Sequence, residues 1–204
     1  MRKVILIQGP NTHPEQIVKC YSGHDVIFST LEGEDTSMLE ENNFIVVKNK
    51  RPEHSGHANF NLQVINTLNG IKKAEELGYD FVFKVRSDIT IPKISKLLDL
   101  MGEPDDTIFF PAYHNWDGGY LCEHMLYGKT NLMKILWDIP ESTLPIAPEI
   151  QLTTHFKKKL PLIKVDYIFP LLYKYDIFAY WEKRSFFLNN YENDKLFTYG
   201  DFKK

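Results

Sequence analysis

Cysteine is scarce in this chain, with two in 204 residues, Cys20 and Cys122, far apart and without metal-ligand spacing. That excludes a disulfide framework and leaves two unpaired thiols in a reducing compartment as the expectation. Excess charge is also lacking. The 24 Lys and Arg stand against 27 Asp and Glu, a formal net charge of −3, so the basic footprint of a nucleic-acid binder is missing. The local runs Lys157-Lys158-Lys159 and Lys203-Lys204 read as solvated faces. No apolar run is long enough for a transmembrane segment, and the one after Arg2 and Lys3 stops at Gln8-Gly9-Pro10. Glycine-rich phosphate fingerprints, internal repeats and low-complexity tracts are absent as well. The expectation is a cytoplasmic protein, peripheral to a membrane at most.

Hydrophobic residues make up 43% of the chain and aromatics 14%. That is enough for a full globular core of one domain. Residues 4–7 read as a buried first strand that ends in the Gln8-Gly9-Pro10 turn. Further strands are expected over 25–29, 43–48, 107–110, 121–127 and 163–169, with Ser29-Thr30 and Gly33-Glu34-Asp35 as a polar exit from the second. Helices are expected over 14–20, 59–77, 92–101, 129–137 and 149–158. The helix over 59–77 has apolar residues at helical spacing, Leu62, Ile65, Leu68, Ile71, Ala74 and Leu77, with Gly78 just past its end. It also carries Asn61, Gln63, Asn66 and Asn69, more amides than a solvent-facing helix would use, which points to a polar ligand or buried polar packing. His54 and His57, in the loop before it, read as a polar loop, because no partner ligand stands at matching spacing.

The stretch GYDFVFKVRSDITIP, residues 78–92, has the sharpest pattern. The apolar run from Phe81 to Val85 reads as a strand buried on both faces. It turns polar at once with Arg86, Ser87 and Asp88, at the strand end where open α/β sheets bind ligands. Together the elements predict an α/β fold: one mainly parallel central sheet with helices on both faces.

Five motifs in order resemble the WavE-type glycosyltransferases of lipopolysaccharide and surface-polysaccharide synthesis, in the GT-A class. They are Gln8-Gly9-Pro10 after the first strand and Ser29-Thr30-Leu31-Glu32-Gly33-Glu34 after the second. Asn61-Leu62-Gln63 follows, continuing to Thr67 and Gly70, then Lys84-Val85-Arg86-Ser87-Asp88 and Pro148-Glu149-Ile150. The chain departs from the pattern at Arg86, where the first Asp of a D-x-D would stand. It departs also at Leu62, which replaces an Arg, and at Glu123-His124, which replaces an Asp-aromatic pair.

The resemblance implies a single GT-A-like domain over 1–204: a nucleotide-binding half over 1–90, an acceptor half over 91–160 and an aromatic-rich extension over 161–204, within a larger multidomain transferase or alone. It implies a nucleotide-diphosphate sugar donor and a glycan or saccharide acceptor. Gln8, Gly9, Pro10, Arg86 and Ser87 would line the donor site, with Asn61 and Gln63 near the ribose or sugar. Asp88 would hold Mn2+ or Mg2+, or else pair with Arg86 to close the turn, with His155 as a further ligand or, as is commoner for a lone histidine, none. Glu149 would be the base or a first-turn acid of its helix, and Asp117 with its following glycines an acceptor loop or a simple surface turn. The alternative is a catalytically inactive GT-A-like module that binds glycan or scaffolds a synthase.

Overall fold

The computed structural model describes residues 1–111, 113–114, 120–159, 164–168, 171, 174–175, 177, 180–181 and 184–185. The Asp117 loop, the tail over 189–204 and much of the aromatic-rich region lie outside them.

In chain order the elements are β1 (Lys3–Gln8), α1 (Pro14–Tyr21), β2 (Val26–Leu31), α2 (Ser37–Glu41) and β3 (Ile45–Asn49). A 3-10 turn (His57–Asn59), α3 (Phe60–Glu76), β4 (Phe81–Arg86), β5 (Ile89–Thr90) and α4 (Ile94–Met101) follow. Next come β6 (Thr107–Phe110), β7 (Tyr113–His114), β8 (Tyr120–Leu121), β9 (Met125–Lys129), α5 (Thr130–Trp137) and α6 (Pro148–Lys159). β10 (Lys164–Tyr167), β11 (Tyr180–Trp181) and β12 (Arg184–Ser185) close the described chain. Seven strands form one sheet in the order β10-β6-β9-β4-β1-β2-β3. It is parallel except at β9, which runs antiparallel to both its neighbours.

Strand alternation sorts β1 between two cores. Val4 and Leu6 pack on α3, α5 and α6, whereas Ile5 and Ile7 pack toward α1 and α4. α3 seats on β1 at Gly70, where an added Cβ would meet Leu6 Cδ1. On the same face Phe156 of α6 packs against Phe110 and Trp137, with ring centroids 5.7 Å apart in both pairs. Tyr21 ties α1 to β5 by donating its hydroxyl to the Ile89 carbonyl at 3.0 Å.

The predicted elements are present, with three corrections. Ser29 and Thr30 are not a polar exit: β2 runs on to Leu31 alongside β3, and both residues are fully buried. The strand expected over 121–127 starts at Met125, after the short β8 and a bend. α2 was not expected, because five residues are too few for a periodic pattern; Thr36 Oγ1 bonds Glu40 Oε1 across it at 2.9 Å.

Candidate active site

Parallel strands β1, β2 and β4 end on one edge of the sheet, and their exits open into a cleft of about 710 Å3. Register puts Gln8 between Ser29 and Arg86, so the Gln8-Gly9-Pro10 turn and the Arg86-Ser87-Asp88 exit lie side by side. Gly9 has φ +136, and a Cβ there would strike Ser87 Oγ. The backbone approach therefore requires glycine. The rest of the lining includes Thr30, Arg51, Gln63, Asn66 and the start of α6 at Pro148 and Glu149. The structure thus brings together Gln8, Gly9, Pro10, Gln63, Arg86, Ser87, Asp88 and Glu149. It leaves out Asn61 and His155.

Asn61 is spent on architecture. Its Nδ2 donates to the His54 and Ser142 carbonyls at 2.9 and 3.0 Å, and its Oδ1 accepts from Ser142 N at 2.8 Å. The side chain clamps the segment before α3 to the loop before α6; the first of these carries lining residues Ala58 and Asn59 in the 3-10 turn, and the second leads through Ala147 into α6. It holds the cleft rather than a ribose. The backbone at Ala58 and Asn59 lies at φ +45 and +65, strain of the kind stored where surrounding contacts over-determine the chain. Asn66 is also shared with structure: its Oδ1 accepts from Asn49 Nδ2 at 2.9 Å, and Asn69 Nδ2 donates to Asn49 Oδ1 at 2.8 Å. Asn49, which sequence reasoning missed, thereby joins β3 to α3. The amides left over are those that face the cleft. Gln8 Oε1 and Gln63 Oε1 are buried with no hydrogen-bond partner among the described residues, as is Thr30 Oγ1. Buried acceptors without partners, gathered on one cleft, are positions where a ligand's N–H or O–H groups would bind.

Asp88 is held in a fork by its neighbour. Arg86 Nε donates to Oδ1 at 3.0 Å and Nη2 to Oδ2 at 2.6 Å. Burial works against the guanidinium charge, but the Asp88 hydrogen bonds and charge more than offset it, and Arg86 stays protonated. Both oxygens of the one carboxylate in this motif are therefore engaged, and no second acid follows at the first position of the motif. Hard divalent ions take several oxygen ligands. The side chains here do not compose a cage for Mn2+ or Mg2+, and His155 is not part of the cleft lining.

Behind Arg86 lies a buried cluster of charge. Lys84 is fully buried on β4; its Nζ donates to the Glu123 carbonyl at 2.6 Å and sits 5.1 Å from the Trp137 ring centroid. Burial pushes its pKa down to about 8, against the pull of Glu123. Glu123 is equally buried. Burial would raise its carboxyl, but His124, Lys84 and Arg86 together hold it below the usual range. Glu149, half-buried at the start of α6, is shifted the other way. Burial and then the Glu123 charge raise its pKa, the direction required of a group that exchanges protons near neutral pH.

No family model matches the chain, and no curated protein matches it. Solved structures do. A glycosyltransferase involved in the glycosylation of the major capsid of PBCV-1 is 13% identical at a TM-score of 0.51, with 82% of each chain covered. A 4-diphosphocytidyl-2C-methyl-D-erythritol synthase is 12% identical at 0.49, over 81% of this chain and 88% of the other. A candidate nucleotide-diphospho-sugar transferase from Desulfovibrio desulfuricans G20 is 13% identical at 0.45, over 82% and 80%. At such identities the likeness is one of fold alone, and the fold is one this chain shares with the PBCV-1 glycosyltransferase.

Proposed function

We propose that this chain transfers a sugar from a nucleotide-diphosphate sugar to a glycan acceptor, as the WavE-like motifs imply for surface glycans. The observation that carries the reading is the composition of the cleft. Unpartnered buried acceptors at Gln8, Thr30 and Gln63 share it with the Arg86-Ser87-Asp88 exit and a carboxylate of raised pKa at Glu149. The fold shared with the PBCV-1 enzyme supports it.

In this reading the nucleoside meets Gln8, Gly9 and Gln63, and the diphosphate faces Arg86 and Arg51. An acceptor oxygen bonds to the anomeric carbon. The bond from that carbon to the β-phosphate oxygen breaks, and the nucleoside diphosphate leaves with the electron pair. Glu149 takes the acceptor proton. The positive groups act by meeting charge as it develops on the leaving group, and no step is assigned to a metal.

Incubation with a panel of nucleotide sugars tests the proposal, because a transferase without its acceptor slowly passes sugar to water. Release of nucleoside diphosphate from one donor, lost in Glu149→Gln, is the expected result. Glycan binding with no nucleotide binding would instead favour a non-catalytic module.

A further inference from the structure

From the cluster behind the cleft we infer that Cys122, Glu123 and His124 form a zinc-type metal site, separate from the Asp88 position and of different chemistry. Cys122 Sγ lies 3.3 Å from His124 Nδ1, and Glu123 Oε1 lies 3.8 Å from His124 Nε2. One ligand atom from each of the three residues lies within 4.8 Å of the others. Thiolate, imidazole and carboxylate are the ligand set of zinc, whereas magnesium and manganese take oxygen. Those two contacts use different ring nitrogens of His124, and one ion takes only one of them. Zinc bond lengths put two ligands of one tetrahedral ion about 3.4–3.6 Å apart, so the set, now within 4.8 Å, would contract onto a single His124 nitrogen.

Glu123 supplies the independent reason for a ligand. It is 0% exposed, yet neither carboxylate oxygen has a hydrogen bond among the described residues. The neighbouring cations leave both oxygens unbonded. Lys84 donates to the Glu123 backbone carbonyl instead, Arg86 forks onto Asp88, and Arg86 Nη1 comes only within 4.0 Å of Oε1. The surrounding cations favour its charge, but they leave acceptor capacity on both oxygens, and an ion would fill it. Binding would release the thiol proton to solvent, and the dication would then be neutralised by thiolate and carboxylate, with imidazole neutral.

The place of the site assigns its task. His124 O accepts from Arg86 N at 3.1 Å, so residues 122–124 are bonded to the end of β4. An ion there would fix the segment that backs Arg86. It positions the cleft wall and takes no part in transfer.

The test uses the full chain, grown with zinc and purified without chelator. Elemental analysis should find about one zinc per chain. After zinc removal, titration with Co2+ should give a near-ultraviolet thiolate-to-cobalt band that saturates at one equivalent and resists excess Mg2+. Cys122→Ser, nearly isosteric, should abolish the band. His124→Gln should weaken cobalt binding by at least the roughly 10–100-fold that loss of even an outer partner costs, and His155→Gln should leave it unchanged. Circular dichroism checks that each variant is folded. Protein free of zinc that gives no cobalt band overturns the inference; so does a band that survives Cys122→Ser, or one lost in His155→Gln.

Discussion

Glu149 and Asp88 are both acids on one cleft, and their surroundings set them different tasks. For Glu149, burial and the Glu123 charge disfavour the ionised form. Its folded pKa lies above the unfolded value, so its contribution to stability is present in acid and is lost as pH rises through the folded pKa. Glu149→Gln should therefore melt no lower than wild type at neutral pH, and the advantage should vanish below the usual carboxylate range. Turnover should fall by about 10²–10⁴ as for a lost general base, and wild-type turnover should rise with pH through the same raised pKa. Melting curves and rate profiles across pH check both signs. Asp88 answers to Arg86 instead. Asp88→Asn puts an amide N–H against the guanidinium and removes the charge that forks onto a three-quarters buried cation. The expected loss is about 1.5–3 kcal/mol, the range for hydrogen bonds to charged groups. With the fork intact, Mn2+ should leave wild-type nucleotide affinity essentially unchanged in calorimetry. A manganese gain that Asp88→Asn abolishes would mean that the carboxylate leaves Arg86 for an ion.

Among the elements, α3 combines scaffold and site. Its helical character was readable because the apolar pattern repeats over more than four turns, but the buried face runs through Phe60, Val64, Thr67, Ile71 and Ala74, and Leu62, Ile65 and Leu68 of the stripe read from sequence are only half-buried. The division of labour among its amides was not, since Asn61, Gln63 and Asn66 look alike until their partners are known. Gly70 shows the same limit. Helix propensity favours Ala there by about 1 kcal/mol, but a Cβ would enter Leu6 on β1. Overpacking of that kind costs about 1–3 kcal/mol, so Gly70→Ala should lower the melting temperature despite the better helix former. In a Leu6→Val background the loss should be smaller than additive. A stabilised Gly70→Ala would show that α3 is not seated on β1 as closely as described.

For the molecule as a whole, the proposed activity predicts linkage between ligand and fold. A nucleoside diphosphate at 100 times its Kd adds about 2.7 kcal/mol. A chain of this size gains about 2–4 °C per kcal/mol, so the melting temperature should rise by about 5–11 °C. Free monosaccharide should give no comparable shift. Glycan stabilisation with none from any nucleotide would assign the cleft to a binding module. Among the described residues no helix is long and apolar enough to cross a membrane.

The mainly parallel α/β sheet, the exits of β1 and β4, and the position of Glu149 at a helix start were all legible in the chain alone. These rest on local signals: apolar runs, turn glycines and helical spacing. The tertiary structure decided what each polar group does, because that depends on neighbours distant in the chain. Asn61 was fixed as a clamp by Ser142, 81 residues away. Gly9 was made obligatory by Ser87 across the β1–β4 pairing. The tripeptide Cys122-Glu123-His124 carried no recognised spacing, and only its burial against Lys84 and Arg86, with Glu123 left unbonded, made it a candidate site. Burial and partnership arise when strands pair, so the chemistry of this cleft was set by packing rather than by motif.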